Sequence, residues 1–152
     1  MIHLEKITWE NWRKCNSLKV NESQSRFVAN NLAILARAYV SCVEGEEGQA
    51  LAIYNDDEIV GLLFYREFGQ PKKYCYILDQ FMIDEKFQGL GYGKQALNIL
   101  IDMLKKEHKY DKIELEYCKE NEAAKALYLN AGFYHLFDDY NEYGEMNIAY
   151  DL

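Results

Sequence analysis

At 152 residues, 49% of them apolar, the chain is long enough for one domain, 1–152, with a sizeable core, and too apolar for disorder. Twenty-five acidic side chains against seventeen basic ones give a formal charge of −8, which argues against nucleic-acid and anionic-membrane partners, since both recruit a basic face. The same charge suits a small cationic ligand.

Ile2, Leu4 and Ile7 predict a short first strand, and Thr8 is placed to cap a helix with Trp9, Trp12 and Leu18 as its apolar positions. A second helix is expected from Glu22 to about Ser41, where Val28, Leu32, Leu35 and Tyr39 recur at helical spacing. Glu44 to Gly48 reads as an acidic loop. Ala50 to Tyr54 and Ile59 to Arg66, joined by Asn55-Asp56-Asp57-Glu58, predict a hairpin. A second turn around Gly69-Gln70-Pro71 feeds Tyr74 to Asp84, an antiparallel third strand of that group.

The next stretch, Gln88-Gly89-Leu90-Gly91-Tyr92-Gly93-Lys94, is a glycine-rich turn that opens a helix with Ala96, Leu97, Leu100, Ile101 and Leu104 on one face, ending near His108. A helix start leaves backbone N–H groups without intrahelical partners and carries partial positive charge. Glycines let such a loop take left-handed conformations and approach a ligand closely, so a phosphate or pyrophosphate is the natural guest. The turn matches neither a nucleotide P-loop, lacking Gly-Lys-Ser/Thr, nor a dinucleotide Gly-x-Gly-x-x-Gly fingerprint.

Ile113, Leu115 and Tyr117 alternate with Glu114 and Glu116, the period-two mark of a strand, and the intervening helix makes it parallel to Ile77–Asp84. Asn121 caps a helix from Glu122 to Asn130 that Gly132 stops, and Phe133–Asp138 and Glu145–Tyr150 predict a closing hairpin around Gly144. The expected class is mixed α/β, a central mixed sheet flanked by helices in the order β-α-α-β-β-β-α-β-α-β-β. Cys15, Cys42, Cys75 and Cys118 form no Cys-x-x-Cys pair and only three histidines accompany them, so reduced thiols and no metal site are expected. With no signal-peptide pattern, and a longest apolar run, Ile59 to Tyr65, too short to span a bilayer, the expected location is cytoplasmic.

That element order, with Gln88-Gly89-Leu90-Gly91-Tyr92-Gly93 and, beginning twenty-eight residues beyond Gly93, Asn121-x-x-Ala124-x-x-Leu127-Tyr128-x-x-x-Gly132-Phe133, resembles the GNAT superfamily of N-acetyltransferases over essentially the whole chain. Leu18-Lys19-Val20, Gln24, Phe27-Val28-Ala29, Asn30-Asn31, Leu35-Ala36 and Ala38-Tyr39 look like the bacterial spermine/spermidine (diamine) N-acetyltransferases. One departure is Asp84-Glu85, where many members have Asp-Pro.

The resemblance implies acetyl-CoA as co-substrate. Main-chain groups of Phe81, Met82 and Ile83 would pair with its pantetheine arm like an added strand. N–H groups from Gln88, Gly89, Leu90, Gly91, Tyr92, Gly93 and Lys94 would hold the pyrophosphate, with Asn121 beside the arm. Tyr128 takes the role of acid to the leaving thiolate. The base stays open among Glu22, Asp79, Glu114 and Glu116, with Glu22 and Asp79 the residues expected to face a polyamine acceptor. A peptide N-terminus or lysine remains an alternative acceptor, and a non-catalytic acyl-CoA-binding regulator an alternative class. Whether the chain forms a homodimer is left open.

Overall fold

A computed structural model describes residues 1–46, 48–70 and 73–152. Its sheet has seven strands, ordered β1-β2-β3-β4-β5-β7-β6. These are β1 (Ile2–Lys6), β2 (Gly48–Asn55), β3 (Glu58–Gln70), β4 (Lys73–Ile83), β5 (Lys112–Cys118), β6 (Tyr134–His135) and β7 (Glu145–Asp151). The α-helices are α1 (Trp12–Ser17), α2 (Asn31–Val43), α3 (Tyr92–Glu107) and α4 (Glu122–Asn130). Period-two alternation sorts the sheet's side chains between two layers. Leu63, Tyr65, Tyr76 and Leu115 pack with α3 and α4, whereas Leu62, Phe64 and Met82 pack with Cys15 and Leu18, at and just beyond α1, and with Ile34 of α2.

α3 buries Ala96, Leu97, Leu100, Ile101 and Leu104, the expected face. The second predicted helix breaks in two. Glu22–Phe27 forms a 3₁₀ turn, Val28 is extended, and α2 starts afresh at Asn31 with the Asn30 side chain accepting from the Leu32 N–H at 2.8 Å. The Asn31 amide then donates to the carbonyls of Cys15 and Leu18 at 3.1 and 2.9 Å, tying the start of α2 to the end of α1. This pinning sets the helix phase, so Ile34 and Ser41 turn inward while Leu32 and Tyr39, expected inside, are exposed. Trp9 is likewise exposed rather than part of the α1 face. Thr8 does not cap α1 directly; it closes the preceding turn, its hydroxyl accepting from Glu10 N–H and its N–H donating to Asn11 Oδ1. Only Tyr134 and His135 of the predicted Phe133–Asp138 strand join the sheet. The acidic-loop and Pro71-turn expectations fall partly on Glu47, Pro71 and Lys72, outside the described residues.

Strand β4 departs from regular pairing on both of its edges. It pairs with β5 only through Tyr76–Ile113 and Ile77–Glu114, although β4 continues against β3 to Ile83 and β5 continues against β7 to Cys118. The parallel strands therefore part after Ile77. A β-bulge against β3 also sits where Phe64 faces Gln80 and Tyr65 faces Leu78, leaving Asp79 as the extra residue.

Gly61 holds β3 close to the end of β4: a Cβ there would lie 2.4 Å from the Met82 carbonyl oxygen. Gly61→Ala is accordingly expected to destabilise the fold by about 1–3 kcal/mol through overpacking. Denaturant unfolding would check this, and an unchanged midpoint would mean that the strands are free to separate.

Candidate active site

The parting of β4 and β5 opens two cavities that share a boundary. The first, about 390 Å³, runs along Phe81, Met82 and Ile83 to the glycine turn and the start of α3, where Gln88, Gly89, Gly91, Tyr92, Gly93 and Lys94 line it, with Ala123 and Leu127 of α4 opposite. The second, about 470 Å³, extends toward the vertex where the strands begin to part, between Ile77 to Gln80 on β4 and Glu114 to Cys118 on β5, with Glu145 and Asn147 of β7. Phe27, Val28, Phe81, Asn121, Ala124 and Tyr128 line both.

The glycine turn leaves the start of α3 open to a ligand. Gly89 and Gly91 have φ of 77° and 79°, the left-handed region that favours glycine, and a Cβ on either would meet nothing within 4 Å. Gly91 is the N-cap of α3 and contributes no side-chain cap, and the first turn of the helix carries no acidic residue. Its N–H groups and the helix dipole are thus directed at whatever occupies the mouth of the smaller cavity.

The turn's approach is fixed by side chains. Asp84 accepts from Lys86 N–H and from Lys19 N–H at 3.1 and 3.0 Å, while Glu85 N–H donates to the Lys19 carbonyl at 2.7 Å. Asp84 therefore shapes the turn here with Glu85, not proline, after it. The Gln88 amide donates to the Ile83 carbonyl and to Gln24 at 3.0 and 2.8 Å, and accepts from Asn21 at 2.9 Å. Its side chain ties the end of β4 to the 3₁₀ turn. Of the expected turn residues, Leu90 alone is absent from the cavity lining, and it is 57% exposed.

Asn121 does two things at once: its Oδ1 accepts from Ala124 N–H at 3.2 Å, capping α4, and the residue borders both cavities. Tyr128 is buried, with its ring edge-on to Phe133 at 5.6 Å between centroids. Among the described residues its hydroxyl has no hydrogen-bond partner. Burial pushes its pKa above the ordinary tyrosine value, so it keeps its proton throughout the neutral range.

Among the described residues, the larger cavity carries four carboxylates, Asp79, Glu114, Glu116 and Glu145, and one guanidinium, Arg66. Asp79 Oδ2 is gripped by Arg66 at 2.6 Å and Arg37 at 3.1 Å. Asp79 thus lines the larger cavity with its charge matched by two guanidiniums. Glu22 is not brought to the site: it is exposed on the 3₁₀ turn and lines neither cavity. Glu116 accepts from Asn147 Nδ2 at 2.7 Å, and Glu114 is buried. Glu145, Asn147 and Arg66 escaped the sequence reading because pairing of β5 with β7 and of β3 with β4 brings them in. The register Glu116–Asn147 and Cys118–Glu145 is the signal that would have found two of them. Cys118 also lines this cavity, and burial, followed by the charges of Glu145 and Glu120, raises its pKa.

Among the described residues no group of three His, Cys, Asp or Glu could hold a metal ion, and no helix is long and apolar enough to cross a membrane.

The model of the acetyltransferase (GNAT) family matches residues 4–133. A spermine/spermidine N(1)-acetyltransferase of Bacillus subtilis (strain 168) is 29% identical over 136 residues, 87% of each chain. The fold superimposes on a spermidine N-acetyltransferase of Vibrio cholerae, solved in complex with CoA and spermine, with a TM-score of 0.77 at 15% identity, covering 99% of this chain and 95% of that one. It also superimposes on the ribosomal-protein-S18-alanine N-acetyltransferase of Escherichia coli with a TM-score of 0.71 at 18% identity, covering 99% and 94%. Both structural likenesses show the same mixed α/β architecture.

Proposed function

The chain belongs to the acetyltransferase (GNAT) family, and from that premise we propose that it acetylates a polyamine or related small amine, with both substrates held in one complex. The observation that carries this reading is the meeting of two cavities at Tyr128, one ending in an uncapped helix start and the other lined, among the described residues, by four carboxylates against one guanidinium.

Acetyl-CoA supplies the activated acetyl group as a thioester. The N–H groups opening α3, from Gln88 to Lys94, hold its pyrophosphate, and Gly89 and Gly91 keep the approach clear. The main chain of Phe81 to Ile83, on the edge that β5 leaves uncovered, pairs with the pantetheine amides as an added strand would. Asn121 lies beside that arm. Burial, which raises its pKa, keeps Tyr128 protonated at the pH where the amine reacts; Tyr128 donates that proton to the departing sulfur and takes back the proton that the attacking nitrogen loses as the C–N bond forms. The acceptor enters from the larger cavity, where the excess of carboxylates favours an amine carrying further ammonium groups.

Direct transfer is favoured over a covalent acetyl-enzyme by the state of Cys118. Its raised pKa keeps it a thiol, and the thiolate is the nucleophilic form.

The acceptor assignment is tested by steady-state rates, read by thiol release, with spermidine, spermine, a monoamine of equal length and a peptide N-terminus. Polyamines should give the highest kcat/KM, and added salt should erode the preference mainly through KM, because exposed charges are screened over roughly 10 Å at 0.1 M. Glu22→Gln should leave these rates unchanged. Equal use of monoamine and polyamine, insensitive to salt, would contradict the polyamine assignment; superiority of the peptide would transfer the reading to a peptide acceptor.

A further inference from the structure

We propose that Glu116 and Glu145 form the subsite for a non-reacting ammonium of the polyamine, holding it between β5 and β7 while the reacting nitrogen lies beside Tyr128. This rests on the reading of the larger cavity as the acceptor site, which both carboxylates line. Strand pairing sets Glu116 opposite Asn147 and Cys118 opposite Glu145, so these four side chains stand on one face of the paired strands with the two glutamates at diagonal corners. Diagonal neighbours of an antiparallel pair lie about 7–8 Å apart at the backbone, a gap that one ammonium between two glutamate side chains fills.

The charge of this pair is open where that of the other carboxylates is not. Glu116 accepts from the Asn147 side chain at 2.7 Å and Glu145 from the Asn141 side chain at 3.3 Å. Both donors are neutral amides, which orient a carboxylate and leave its charge in place. Among the described residues neither glutamate makes an ion pair. Asp79, by contrast, is matched by Arg37 and Arg66, and Glu114 interacts electrostatically with Lys112.

Cys118, on the same face, registers the resulting field. Burial raises its pKa first, and the charges of Glu145, Glu120 and Glu116 raise it further; Arg26, which lies over the Phe27 ring at 4.8 Å, acts in the opposite sense but more weakly than Glu145 and Glu120. A field that disfavours a thiolate favours a cation.

The far wall of the same cavity also calls for a ligand. Tyr128 is 7% exposed and borders the cavity, and its hydroxyl has no hydrogen-bond partner among the described residues. A buried hydroxyl is ordinarily paired, and the reacting groups supply the missing partner. An amine carrying further ammonium groups therefore meets Tyr128 with one nitrogen and the two glutamates with another.

The test measures kcat/KM, and calorimetric affinity for the protein saturated with CoA, with spermidine and with a monoamine of equal length. Glu116→Gln and Glu145→Gln should each lower kcat/KM for spermidine by about two- to fivefold, the range of a partly exposed ion pair, and the double variant by about tenfold, mainly through KM and with matching losses of affinity. The monoamine should be unaffected, and the double variant should lose most of the salt dependence that wild type shows with spermidine. Gln at either position still accepts from the neighbouring Asn amide, so thermal stability should match wild type. Glu116→Asp and Glu145→Asp, which keep the charge, should lose less than the Gln variants. Equal losses for both amines, or none for spermidine, would overturn the proposal, and if the double variant does not fold the single variants decide by the same criterion. Wild type using the monoamine and spermidine equally would instead defeat the polyamine reading itself, whereas a wild-type preference for spermidine that the Gln variants keep would defeat only this subsite.

Discussion

Tyr128→Phe is expected to lower turnover by roughly ten- to ten-thousand-fold, the range open to general acid catalysis, while leaving acetyl-CoA affinity nearly unchanged. The change removes one oxygen and keeps the ring. Its packing against Phe133 and its place on the buried face of α4 therefore persist, and because the hydroxyl has no hydrogen-bond partner among the described residues, no other buried group is stranded. A thiolate leaving group at neutral pH is stabilised by a proton, and a tyrosine whose pKa is raised by burial carries one across pH 6–9. Turnover and calorimetric affinity, measured on the same preparation over that range, check the prediction. Wild-type turnover throughout would remove Tyr128 from the chemistry.

Gly91→Val should weaken acetyl-CoA binding by about ten- to hundredfold, the equivalent of the 1–3 kcal/mol that a strained backbone conformation costs. At φ 79° a β-branched residue is disfavoured, and the loop is expected to shift the N–H groups that open α3 away from their present direction. The fold itself should survive, since a Cβ at this position meets nothing within 4 Å. Gly144→Val is a matched control. It has nearly the same φ, 76°, and equally open space, but lies just before β7 and outside the glycine turn. Titration calorimetry should find reduced affinity in the first variant alone; unchanged affinity in both would dissociate the glycine turn from the cofactor.

How far the chain could be read depends on the range of the forces involved. α3, its buried face and the glycine turn are local features, set by apolar spacing and by residues that tolerate positive φ, and they stand where the sequence places them. The Asn121 cap is local too. The break before α2 depends on Asn31 reaching the carbonyls of Cys15 and Leu18, a tertiary contact that overrides an apolar repeat running through Val28. The acidic cavity was half legible: alternation put Glu114 and Glu116 on one strand face, but strand pairing brought in Glu145 and Asn147. Asp79 shows the same limit most clearly, because the guanidiniums that match its charge come from α2 and β3, forty-two and thirteen residues away.

Initial rates with acetyl-CoA and spermidine, each varied at several fixed concentrations of the other, test transfer within one complex most directly. Intersecting double-reciprocal lines, with acetylspermidine and free CoA formed in equal amounts, are the predicted result. Parallel lines would mean a covalent acetyl-enzyme, and CoA release that does not depend on the amine would mean that the amine is not the acceptor; either result would contradict the mechanism.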